Sequence, residues 1–104
     1  MYEYKATVVR WVDGDTVDLR VDLGFRINFE DRFRLYDPTR YVDTPEKGEK
    51  NYDEARLCSE KVYPPGSNIT VRTFKKDKYG RWLAQIPEVT GALEAAGYLK
   101  PTKS

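Results

Sequence analysis

From Thr16 the chain alternates without a break: Val17, Leu19, Val21 and Leu23 fall on one side of an extended backbone, and Asp18, Arg20 and Asp22 on the other. A period of two predicts a strand with one buried face and one wet face. The stretch before it, Tyr4 to Val12, is rich in β-branched and aromatic residues, with Ala6, Val8 and Val12 expected on its inner face. Asp13-Gly14 supplies the turn between the two strands. Gly24 reverses the chain again. Phe25, Ile27, Phe29, Phe33 and Leu35 read as the apolar face of a third strand, whose polar face carries Arg26, Asn28, Glu30, Arg32 and Arg34.

Asp37-Pro38-Thr39 ends that strand, and beyond Gly48 the period changes. Tyr52, Ala55, Ser59 and Val62 share one face of a helix that Pro64-Pro65-Gly66 must stop. Asn68 to Phe74 and Trp82 to Ile86 read as the fourth and fifth strands, joined by a hairpin over Asp77-Lys78-Tyr79-Gly80. Thr90 is expected to cap a short C-terminal helix that contains Leu93 and Ala96 and ends at Gly97. Five strands with one helix between strands 3 and 4 form the element order of a mainly β, OB-fold barrel. A generic small α+β sheet is the alternative with the same string. A single domain over 1–100 followed by a flexible tail at 101–104 is expected.

Composition narrows the chemistry. With 39% apolar and 34% charged residues the chain belongs with folded soluble domains rather than disordered ones. A formal charge of +1 argues against a polybasic coat, so contact with a polyanion has to come from locally placed Arg and Lys. The chain has no histidine, which removes Ser-His-Asp triads, Cys-His nucleophiles and histidine-metal nucleases together. Cys58 is alone, so neither an intrachain disulfide nor a multi-cysteine metal site can form, and a packing role is expected. Met1-Tyr2-Glu3-Tyr4-Lys5 lacks the apolar run of a signal peptide and no stretch has bilayer-spanning length. A cytoplasmic monomer without a membrane partner is expected, or a secreted one if a leader was removed.

The chemistry is expected around Tyr41-Val42-Asp43-Thr44-Pro45-Glu46. Pro45 keeps the residue before it extended, so Asp43 and Glu46 are held apart. One can bind a metal while the other works on a water, the division of labour that hydrolysis needs without an imidazole. Two further pieces stand out, Asp13-Gly14-Asp15-Thr16 and Asp77-Lys78-Tyr79-Gly80-Arg81. Each alone is an ordinary turn or helix entry. All three lie at strand ends, where a barrel can bring distant positions together.

In this order, together with Arg34-Leu35, Trp82-Leu83-Ala84 and Leu93 to Gly97, these motifs resemble the staphylococcal nuclease (thermonuclease) family over about Lys5 to Tyr98. The resemblance implies a five-stranded OB barrel and calcium-dependent cleavage of DNA and RNA, with single-stranded regions favoured and 3′-phosphate products. It also implies roles: Asp15, Asp43 and the Thr44 carbonyl as Ca²⁺ ligands, Glu46 as general base, Arg34 and Arg81 on the phosphate, and Lys78 and Tyr79 on a neighbouring phosphate. The rival reading is a catalytically weak or inactive OB module that binds nucleic acid or protein. One spacing departs from the family pattern, because Arg34 precedes Asp43 by nine residues rather than five. If the excess bulges out, Arg34 keeps its place; if strand pairing slips, Arg40 takes it. Both separations are odd, which favours Arg34, since an even change leaves the strand's polar face unflipped.

Overall fold

The computed structural model describes residues 2–74 and 80–100. In chain order it contains β1 (Tyr2–Asp13), β2 (Thr16–Asp22), β3 (Asn28–Leu35), α1 (Tyr52–Val62), β4 (Asn68–Phe74), β5 (Trp82–Gln85) and α2 (Pro87–Ala95). The strands close into a barrel in the order β1-β2-β3-β5-β4. β3 and β5 run parallel, and every other pair is antiparallel. The parallel pair needs a long crossover, which α1 and β4 provide. The result is the expected OB-like barrel with a helix between β3 and β4 and a short helix at the end. Val8, Val17, Leu19, Val71 and Leu35 fill its interior, and Ala55, Val89 and Leu93 bring the two helices onto it. Among the described residues no helix is long and apolar enough to cross a membrane.

Three local expectations are corrected. Trp11, not Val12, is buried at the end of β1. Pairing with β2 shifts register between Val8 and Arg10 and again between Trp11 and Asp13. Each bulge sets two residues against one, so the side that faces inward changes parity. The buried indole is not wasted polar surface, since its Nε1–H donates to the Tyr63 carbonyl at 2.9 Å.

The second correction concerns the apolar run after Gly24. Phe33 and Leu35 are buried, but Phe25 is 97% exposed and Leu23, Ile27 and Phe29 are 45%, 55% and 38% exposed. β2 and β3 stay paired out to Asp22 and Asn28, whereas β1 leaves β2 at Ala6 and β5 joins β3 only from Phe33. The hairpin therefore projects past the barrel wall as a two-stranded arm. Its tip is a turn in which Gly24, Phe25 and Arg26 all have positive φ, closed by a Leu23 N–H donating to the Ile27 carbonyl at 2.9 Å. Phe25 and Ile27 thus lie outside β3, with no core beneath them.

The third is at α2, where Pro87 opens the helix and Ile86 is the capping position. Proline fits the first helical turn because its missing N–H would have no partner there. Thr90 is buried inside the helix and donates to the Ile86 carbonyl at 3.3 Å. The helix ends as expected at Gly97, whose φ of 80° allows Gly97 N–H to reach Glu94 and Tyr98 N–H to reach Leu93. The Asp77, Lys78 and Tyr79 portion of the β4–β5 hairpin lies outside the described residues. Cys58 packs at the edge of the core, in keeping with a structural role.

The arm and the barrel wall should respond oppositely to mutation. Phe25→Ser is expected to change unfolding free energy by no more than about 0.5 kcal/mol, while Leu19→Ala costs about 2–5 kcal/mol. Urea titration of both variants checks this; a Phe25→Ser loss as large as that of Leu19→Ala would mean the arm is packed.

Candidate active site

The site is built on the β1–β2 turn, and α1 holds that turn from behind. The Ser59 hydroxyl donates to the Gly14 carbonyl at 2.7 Å, and the Tyr52 hydroxyl donates to the Val12 carbonyl. Gly14 is required by space: a Cβ there would stand 3.0 Å from Thr44 Oγ1 and 3.1 Å from the Ala55 Cβ. With turn, helix and loop in contact, the Thr44 N–H reaches Asp15 Oδ2 at 3.2 Å, joining the turn to the carboxylate loop. The Thr44 hydroxyl oxygen, buried in this contact, has no hydrogen-bond partner.

The loop is fixed at three further points. Arg34 Nη2 donates to the Val42 carbonyl at 3.0 Å. The Lys100 N–H donates to the Asp43 carbonyl at 2.8 Å. Glu49 Oε1 accepts from the Glu46 N–H at 2.7 Å and from Lys100 Nζ at 2.8 Å. The Lys100 ammonium and the Glu46 N–H together hold the Glu49 carboxyl below the usual carboxylate range.

Between turn and loop lies an open cleft of about 520 Å³. Four carboxylates, those of Asp13, Asp15, Asp43 and Glu46, line it with two arginines, Arg34 and Arg81, and with Thr16 and Tyr41. Glu46 is exposed at the rim, whereas Asp15 is buried. Burial, with the hydrogen bond and negative charge of Asp13 added, pushes the Asp15 carboxyl up to about 7, against the opposing pull of Arg34 and the Thr44 N–H. Arg34 Nη2 stands 3.9 Å from Asp15 Oδ2 and 3.8 Å from Asp43 Oδ1, and its guanidinium lies 5.9 Å over the Tyr41 ring. Burial works against its charge, but Asp15, Tyr41 and Asp43 outweigh that and raise its pKa.

Arg40 is elsewhere. Its Nη1 is 2.7 Å from Glu94 Oε2 on α2, and its Nε is 3.6 Å from Asp37 Oδ2. The residues after β3 close on themselves, with Asp37 bridged to Arg40 and Asp37 Oδ1 accepting from both the N–H and the hydroxyl of Thr39. This stretch forms a turn, and Arg34 faces the carboxylates. Of the residues singled out in the sequence, Asp15, Arg34, Asp43, Glu46 and Arg81 meet in the cleft and Thr44 anchors it; Lys78 and Tyr79 lie outside the described residues. Asp13, Thr16 and Tyr41, which lie in the singled-out stretches without an assigned role, line the cleft as well. Asp13 suits a turn, yet its place two residues before Asp15 puts two carboxylates on one tight turn.

Among the described residues no three of His, Cys, Asp and Glu form a metal cage by themselves. The donor set is nevertheless all oxygen, and carboxylates outnumber guanidinium groups. This fits a hard cation that takes part of its shell from water or substrate. Compared with known proteins, the chain matches no family model and no curated protein.

Asp15 has a testable linkage. Its folded pKa of about 7 exceeds the ordinary 3.8, so the protonated acid is favoured by folding. That stabilisation is complete below about pH 4, fades as pH rises and is gone above about pH 7. Relative to the parent, Asp15→Asn should therefore gain stability progressively across that window when assayed with a chelator. A stability difference independent of pH would show that Asp15 titrates normally.

Proposed function

We propose that this protein is a calcium-dependent phosphodiesterase that cleaves DNA and RNA, favours single-stranded regions and leaves 3′-phosphate ends. The observation that carries this reading is the convergence of Asp15, Arg34, Asp43, Glu46 and Arg81 on one cleft from four separate stretches of chain. Asp15, Asp43 and the Thr44 carbonyl would hold the cation, whose contribution is to offset carboxylate charge and polarise the phosphodiester. Glu46, at the solvent-facing rim, takes the proton of an attacking water. The water oxygen bonds to phosphorus, the bond to O5′ breaks, and O5′ leaves with a proton drawn from solvent, to which Glu46 afterwards releases the one it took. Arg34 and Arg81 donate to the phosphoryl oxygens as their charge grows.

One observation favours the alternative of a binding module. Arg34 already faces two carboxylates and donates to the Val42 carbonyl, which leaves less of it to stabilise the charge that grows on a phosphoryl group during cleavage. Turnover separates the readings. Single-stranded DNA should be cleaved with Ca²⁺ and spared with chelator, and Asp43→Asn should abolish cleavage while leaving the fold intact. Glu46→Gln should lower turnover by about 10²- to 10⁴-fold without loss of nucleotide binding. Arg34→Ala should lose about 10²- to 10³-fold, whereas Arg40→Ala stays near the parent. A folded parent that binds DNA but never cleaves it leaves the binding module.

A further inference from the structure

The wet face of the barrel next to the cleft is organised in cross-strand rungs. The first, Asp13–Thr16–Arg34, opens into the cleft. The next is Arg10–Asp18–Arg32, one residue from each of β1, β2 and β3 in direct register. Asp18 Oδ2 accepts from Arg10 Nε at 2.8 Å and its Oδ1 accepts from Arg32 Nε at 3.0 Å. Burial penalises the Asp18 carboxylate, but the two guanidinium hydrogen bonds outweigh it and lower its pKa. The rung is therefore charged at neutral pH, with two cations on one anion. Both arginines reach that anion through Nε and are largely exposed, while Asp18 is tucked beneath them. Their terminal nitrogens thus have donors to spare. The following rung, Thr7–Arg20–Glu30, is neutral, because Arg20 and Glu30 pair at 3.3 Å.

We infer that the Arg10–Asp18–Arg32 rung is a binding site for a backbone phosphate of single-stranded nucleic acid, flanking the phosphate in the cleft. This rests on the nuclease reading for what occupies the cleft. Electrostatics supplies the reason for a second site. Four carboxylates against two arginines make the cleft repel a polyanion in the absence of a cation. The adjacent rung sets two guanidinium groups on one carboxylate, a positive excess that the nearby Asp13 and Asp31 lessen at Arg32, and Asp18 already orients both groups, so little side-chain freedom is lost on binding. Arg32 and Arg34 share a strand face two residues apart, or about 7 Å. That step is comparable with the spacing of successive phosphates on an extended strand. Arg81 precedes Trp82, whose partner on β3 is Phe33, so the cleft's second arginine adjoins the same stretch.

The test separates binding from turnover. A fluorescent twelve-nucleotide oligothymidylate is titrated with chelator present over a range of salt, and cleavage of the same oligonucleotide and of a dithymidine substrate is followed with Ca²⁺. The double variant Arg10→Gln with Arg32→Gln should bind the oligonucleotide about ten-fold more weakly, with a salt slope reduced by about one. Its dithymidine cleavage should match the parent, because that substrate reaches only the cleft. Asp18→Asn retains both cations and one acceptor but removes the negative charge, so it should bind more tightly than the parent, whereas a merely structural bridge would leave binding unchanged or weaken it. A folded double variant that binds like the parent, or a parent that does not bind the oligonucleotide, overturns the site. If the parent cleaves nothing yet the binding differences appear, the nuclease reading fails and the phosphate site stands.

Discussion

The hydrogen bond from Ser59 to the Gly14 carbonyl is the contact on which the site depends. It fastens α1 to the first turn of the barrel, and the turn in turn sets Asp15 against Thr44. Ser59 is fully buried and Gly14 has no room for a side chain, so the joint tolerates little rearrangement. Tyr52 makes a parallel attachment about two turns earlier on the same helix. The helix between β3 and β4 is thus more than a crossover, since it converts a flexible Asp-Gly turn into a fixed platform for carboxylates.

Closure of the barrel does the rest. Because β5 is parallel to β3 and starts opposite Phe33, the residue leading into it arrives at the stretch of wall that carries Arg34. Arg34 and Arg81 are distant in sequence and meet in one cleft for that topological reason. The loop from Val42 to Glu46 is drawn in from the other side by Lys100, just beyond α2, through the Asp43 carbonyl and the Glu49 carboxylate.

Much of this was legible in the sequence where local pattern and tertiary context agree. The period-two run over β2 and the period change after Gly48 located a strand and a helix because both are half buried, which is what such patterns encode. The pattern failed where burial is decided by something nonlocal. Alternation from Phe25 to Phe29 reads like core, but the core ends where neighbouring strands leave the sheet, and no residue on β3 states where β1 and β5 stop. Likewise, Trp11 and Val12 exchange places because of bulges that the composition of β1 does not announce. At the site, the acidic and basic residues stood out as motifs, whereas Asp13 was hidden by its suitability for a turn. Which of Arg34 and Arg40 faces the carboxylates could be resolved only by seeing Arg40 turned to Glu94.

The charge distribution bears on why such a site persists in so small a chain. A barrel this small has little stability to spare, yet it buries Asp15 beside Asp13 and Asp43 with Arg34 as the nearby cation. Burying a carboxylate that is only partly neutralised is unfavourable, and apolar or amide residues in its place would relieve that. The fold keeps the carboxylate and spends a helix, a glycine with no space for a methyl and a buried threonine on holding it still. Structural economy does not account for that combination. Under the calcium-dependent reading proposed above, a bound cation would offset the carboxylate charge, and anything that binds the folded state alone adds to its stability.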